Sequence, residues 1–136
     1  MQNNKGDIKD RSFKFGVRII KFVQTLPKNH AGYKIGGQLL EAGTSVGANV
    51  EEGTGGFSKK DFTYKMGVAL KEARESNYWL RLIKVSELAR GEELDYLLKE
   101  SEELRKILTS IVKTSKGNKP IVSWEFRVVS LELRIS

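Results

Sequence analysis

The chain has 136 residues, a formal net charge of +7 and no cysteine. That length suits one domain with a sizeable core, and the missing cysteine excludes a disulfide framework or thiolate metal site. No stretch approaches the ~20 apolar residues that span a bilayer, and the opening "MQNNKGDIKDRSFKF" has no apolar signal region. A soluble, cytoplasmic protein with no membrane role is the expectation.

The first predicted helix runs from about Asp10, read as its N-cap, to Leu26, where Pro27 stops it. Phe15, Ile19, Phe22 and Leu26 form one apolar stripe, and Phe13, Val17 and Ile20 form a second. Together they cover more than one flank of a monomeric bundle needs. Either this helix is central, or it is sandwiched between its own bundle and a neighbouring subunit. The neighbour is the favoured reading, because a large exposed apolar surface usually marks an interface.

The second predicted helix runs from about Tyr33 to Glu52 and contains most of the glycine-rich run "GTSVGANVEEGTGG". A phosphate-binding P-loop needs G-x-x-x-x-G-K-[ST]. Gly43 and Gly47 are too close together for that spacing, no lysine follows either one, and no strand precedes them. On a helical wheel Gly36, Gly43 and Gly47 instead share a narrow arc, with Ile35, Leu39, Ala42 and Val46 as the adjoining apolar stripe. The glycines read as structural, a seam flat enough for another helix backbone to approach closely. "GTGG" then ends the helix, with glycine as a left-handed cap. Gln38, Ser45, Asn49 and Glu52 make a polar stripe. Asn49 is the one of these expected to be buried, beside Val46 and Val50, and is expected to fix the register of helix pairing, in preference to contacting a ligand.

The third predicted helix starts at Ser58 with "SKKD", which resembles a capping box, and continues to Arg90 with Gly91 as its stop, a length of ~50 Å. The fourth runs from Glu92 to about Lys116, with Gly117 as cap. Its acidic start and basic end suit the helix dipole. Leu97, Ser101, Leu104, Leu108 and Ile111 give it a near-heptad seam. Short links make sequential helices antiparallel. The predicted fold is all-α: an antiparallel up-down four-helix bundle over 1–116 with an extra C-terminal tail over 117–136. In that tail "SWEFRVV" and "SLELRIS" repeat Ser-apolar-Glu-apolar-Arg-apolar at strand period. The tail is read either as an added edge strand or swapped arm, or as a loosely ordered translated repeat.

Little in the sequence supports catalysis or a metal. The only histidine, His30, sits in the first predicted loop, and a Ser–His arrangement would need it beside Ser45 or another serine. Glu72 and Glu75, with Glu52 nearby, lack the Glu-x-x-His pattern of bundle metal sites. No cofactor is expected. The feature most suggestive of function is a repeated spacing. Arg11, Lys14, Arg18 and Lys21 step 3, 4, 3 along the first helix, and Lys71, Arg74, Tyr78 and Arg81 step identically along the third. Rows of cations meet phosphate backbones, and aromatic rings stack on single-stranded bases. Two ordinary solvated faces would look the same. The leading expectation is RNA or DNA binding by a homo-oligomer. The alternative is a homo-oligomeric adaptor for a protein partner.

"TSVGANVEEGTGGFSKKDF" and "ALKEARESNYWLRL" carry a resemblance. They are similar to the four-helix-bundle proteins encoded in intervening sequences of bacterial large-subunit rRNA genes, a family that also carries the label ribosomal protein. The accessory protein of diversity-generating retroelements is a structurally similar relative. The resemblance covers roughly residues 12–116 and leaves the tail outside. It implies an antiparallel bundle assembling into a ring, commonly a pentamer, without enzyme activity or cofactor. By analogy with the retroelement relative it also implies nucleic-acid binding. The ribosomal label itself implies no role on the ribosome.

Overall fold

A computed structural model describes residues 7–117, and the tail readings lie outside these described residues. Four helices follow in order: α1 Ile8–Val23, α2 His30–Thr54, α3 Lys59–Val85 and α4 Glu92–Ser115. Each packs antiparallel against the next, and α4 returns to α1. The result is an all-α four-helix bundle. Its core takes the first stripe of α1 (Phe15, Ile19, Phe22), then Leu39, Val46 and Val50 of α2, Phe62, Met66 and Leu80 of α3, and the heptad seam of α4. Among the described residues no helix is long and apolar enough to cross a membrane.

Helix ends depart from the sequence reading wherever burial chose between two competent signals. Asp7, not Asp10, caps α1, its side chain accepting from the Lys9 and Asp10 amides. Ile8 is buried in the core, so the helix must begin early enough to include it. Asp10 instead joins the first turn and pairs with Lys14 at 3.0 Å. At the other end α1 stops at Val23, three residues before Leu26. Thr25 and Leu26 donate to the carbonyls of Phe22 and Val23 in a tighter turn that still buries the Leu26 side chain. α2 begins at His30 rather than Tyr33 because Asn29 caps it, accepting from the Gly32 amide at 2.9 Å. Its C-cap Gly55 has φ −93°, so the expected left-handed closure does not occur there.

α3 starts as expected, with the Ser58 hydroxyl accepting from the Asp61 amide at 3.0 Å. It ends five residues early, which shortens it to ~40 Å. Glu87 takes φ 62°, its amide donates to Lys84 O at 3.1 Å, and the Leu88 amide donates to Ile83 O at 3.0 Å. This is a Schellman closure with glutamate where glycine is usual. Leu88 packs against the core, which repays the strained backbone. Gly91, read as the stop of α3, is instead the N-cap of α4 with φ 125°.

The glycine seam of α2 lies against α1. A β-carbon at Gly43 would sit 2.8 Å from Ile19 Cγ1, one at Gly47 3.1 Å from the Ser12 carbonyl, and one at Gly36 3.1 Å from Leu26 Cδ1. Gly16 answers from α1, 3.8 Å from Thr44 Cα by the same measure. The Asn49 side-chain amide donates to Ser45 O of its own helix at 2.8 Å. The cross-helix amide is Asn77, which reaches from α3 to the Ser101 hydroxyl of α4 at 2.9 Å, where Ser101 is fully buried. The Thr63 and Ser115 hydroxyls form a second polar link between the same helices.

Candidate nucleic-acid interface

The two rows of cations have different surroundings. On α1, the Arg11 guanidinium grips Glu100 of α4 with two bonds, Nε to Oε2 at 3.0 Å and Nη2 to Oε1 at 2.7 Å. Seven residues on, Arg18 grips Glu93 in the same way, at 2.9 and 2.7 Å. Glu93 lies seven residues before Glu100, so antiparallel helices meet in step. Arg18 also lies 3.7 Å from the centre of the Tyr96 ring. These pairs raise the pKa of both arginines, chiefly through the carboxylate hydrogen bonds. With Lys14 on Asp10, the α1 row is largely neutralised, and Lys21 is the member that makes no ion pair among the described residues. The row therefore ties α1 to α4, the spatially adjacent pair of helices that packs least closely. Sequence periodicity placed these cations on one face. It did not reveal that carboxylates of α4 cover that face.

On α3 the row stays open. Lys71, Arg74 and Arg81 are exposed and make no ion pair among the described residues. Arg81 Nε donates to Asn77 Oδ1 at 2.9 Å, and its guanidinium lies 5.7 Å from the Tyr78 ring centre. The Tyr78 ring meets Trp79 edge-on, with centres 5.0 Å apart. Glu75 stands beside the row. Its partner in charge is Glu72, whose carboxyl is pushed up by burial and then by the Glu75 carboxylate.

The open face also extends further than the sequence reading took it. Lys60 and Tyr64, one and two turns into α3, continue the same line toward the helix start. There the first turn of α3 and the last turn of α4 border a shallow, open cavity of about 520 Å³, lined by Lys59, Lys60, Thr63, Tyr64, Ser115 and Lys116. The Lys59 ammonium bonds the Gly117 carbonyl at 2.7 Å. The heptad step from Tyr64 through Lys71 to Tyr78 is the available signal, and its first member, Tyr64, lies outside the 3, 4, 3 row.

A third surface is apolar. Phe13 (63% exposed), Val17 and Ile20 turn outward from α1 as the second stripe implied, and Tyr33 and Leu40 are exposed on α2. The groups weighed for chemistry are dispersed. His30 opens α2 and Ser45 lies fifteen residues along it, donating to Glu41 O at 2.6 Å. Glu52 is held by Lys65 at 2.8 Å. Among the described residues no group of three His, Cys, Asp or Glu is placed to hold a metal ion.

The fold has a known counterpart. A crystal structure of a protein of unknown function from the S23 ribosomal protein family of Bacteroides thetaiotaomicron VPI-5482 is similar, with 38% identity and a TM-score of 0.73 over 79% of this chain and 99% of that one. Among curated proteins, no relative matches. Residues 4–110 match the profile of the 23S rRNA-intervening sequence proteins, and with the bundle and glycine seam this makes the chain a member of that family.

Proposed function

We propose that this chain is a non-enzymatic, cytoplasmic, ring-forming protein that binds nucleic acid through the exposed face of α3, five copies being the favoured ring. The observation that carries the binding is the contrast between the two rows. Three of the four α1 cations, Arg11, Lys14 and Arg18, are matched by carboxylates, whereas Lys71, Arg74 and Arg81 stand unmatched around an exposed tyrosine. Phosphate backbones are met by such unmatched cations, with counterion release as the driving term. One subunit offers few contacts. A ring multiplies them, and avidity raises apparent affinity by ~10²–10⁴ where geometry allows simultaneous engagement. The outward stripe Phe13–Val17–Ile20 is the surface that would join copies.

A gel-shift titration at about 50 mM salt tests this. Wild-type protein should retard RNA or DNA with little sequence preference and release it as salt rises. Lys71→Glu with Arg74→Glu and Arg81→Glu should abolish the shift without changing particle size. A second reading rests on the apolar stripe: a homo-oligomeric adaptor for a protein partner, which triple charge reversal would leave intact. Wild-type protein that retards no nucleic acid would favour that adaptor.

A further inference from the structure

The open face of α3 carries two exposed rings as well as cations, and the rings indicate which form of nucleic acid it suits. Tyr64 is 65% exposed and Tyr78 44% exposed. They lie fourteen residues apart on one helix, which is ~21 Å along the axis and only ~40° around it. Lys71 falls midway between them, seven residues from each. Neither ring belongs to the core. The Tyr78 ring is braced edge-on by Trp79, at 72° between planes, and the Tyr64 ring has the Lys65 ammonium 5.9 Å from its centre. Beyond Tyr64 the row ends in the cavity between α3 and α4. Lys60 and Lys116 line it and make no ion pair among the described residues, and no carboxylate is part of its lining.

A duplex keeps its base faces stacked on one another and offers only backbone and groove edges, so exposed rings find no face to stack on. An unpaired strand presents base faces that stack on such rings with little regard to sequence. Cations between the rings then meet the phosphates between the stacked bases. We infer that the face of α3 is a track for an unpaired nucleic-acid strand. Bases stack on Tyr64 and Tyr78, Lys71 and Arg74 hold the backbone between them, and the Lys60–Lys116 cavity takes the phosphate next to the Tyr64 base. This rests on the α3 reading proposed above and assigns it a strand state, a direction along the helix and an end.

The test is fluorescence anisotropy with a labelled mixed-sequence RNA strand of about twelve nucleotides, within the range of known single-strand sites, and with the same strand annealed to its complement. The full chain is used, and circular dichroism checks that each variant is folded. The strand should bind at least about tenfold more tightly than the duplex. Tyr64→Leu and Tyr78→Leu should each lower strand affinity by about 5- to 100-fold while duplex affinity stays put, and Tyr→Phe at either site should restore it. Lys60→Gln with Lys116→Gln should flatten the salt dependence of strand binding by about one to two phosphate contacts. Equal affinity for strand and duplex, or tyrosine variants that bind the strand as wild type does, would overturn the track and leave the α3 interface standing. Binding to neither form would overturn both.

Discussion

Gly43 of α2 faces Ile19 of α1 so closely that a β-carbon on Gly43 would lie 2.8 Å from Cγ1 and 2.9 Å from Cγ2 of that isoleucine. Ile19 is fully buried and β-branched, so it has little freedom to turn aside. Gly43→Ala gains about 1 kcal/mol of helix propensity and loses more to overpacking. The expected result of chemical denaturation is a net loss of about 1–2 kcal/mol. An unchanged or raised midpoint would show that the seam has room.

Gly37 and Gly67 are the contrasting cases. Each lies inside a helix, and a β-carbon at either would meet nothing within 4 Å. Gly37→Ala and Gly67→Ala should each stabilise the fold by about 0.5–1 kcal/mol, through helix propensity and a less disordered unfolded chain. Thermal melts of the two variants beside Gly43→Ala separate glycines needed for contact from glycines that are not.

The Arg11–Glu100 pair is largely shielded, with side-chain exposures of 15% and 12%, whereas Arg18 and Glu93 are each 42% exposed. Removing one partner of a shielded pair strands the other. Arg11→Ala should therefore cost about 1–3 kcal/mol, below the figure for a fully buried pair. Arg18→Ala should cost about 1 kcal/mol or less. A double-mutant cycle over Arg11 and Glu100 should return a coupling energy that a cycle over Arg18 and Glu93 does not match. Neither substitution should move nucleic-acid affinity more than about twofold, since both cations are already matched. A large loss of binding with Arg18→Ala would return the α1 row to the interface.

Ile20 is exposed on the outward stripe of α1 and is not a member of the core cluster. Ile20→Glu should therefore leave the isolated bundle folded. In the proposed ring it would bury an unpaired charge between copies, which the assembly cannot accommodate. Light scattering should show an oligomer for wild type and a monomer for Ile20→Glu. A wild-type monomer at micromolar concentration would end the ring reading.

Glu72 gives the fold a pH dependence of defined sign. Burial, and then the Glu75 carboxylate, raise its carboxyl above the ordinary glutamate value. The folded chain thus keeps this proton to a higher pH than the unfolded chain does. Stability falls as pH rises from the ordinary value through the raised one, and the loss persists above it. Glu72→Gln should raise the melting temperature near neutral pH and leave it unchanged well below the ordinary glutamate range. A variant less stable than wild type at neutral pH would mean that the charged form of Glu72 is the one the fold favours.

Periodicity determined the four helices, the buried faces of α1, α2 and α4 and the surplus apolar stripe of α1, because a 3.6-residue repeat fixes which side chains share a face before any partner is known. The same repeat marked Gly36, Gly43 and Gly47 as one seam. Tertiary structure decided what stands opposite each face. That Glu93 and Glu100 step in register with Arg18 and Arg11 depends on how far α4 slides and rotates against α1, which no local pattern in either helix encodes. Asn49 and Asn77 show the same limit. Both are amides beside the core, but Asn77 reaches the buried Ser101 hydroxyl on the next helix, whereas Asn49 bonds back to its own helix. Helix ends were settled in the same way. Asp7 and Asp10 cap equally well in isolation, and Glu87 is a poor left-handed residue in isolation. Burial of Ile8 and packing of Leu88, both contacts with other helices, outweighed the local preferences.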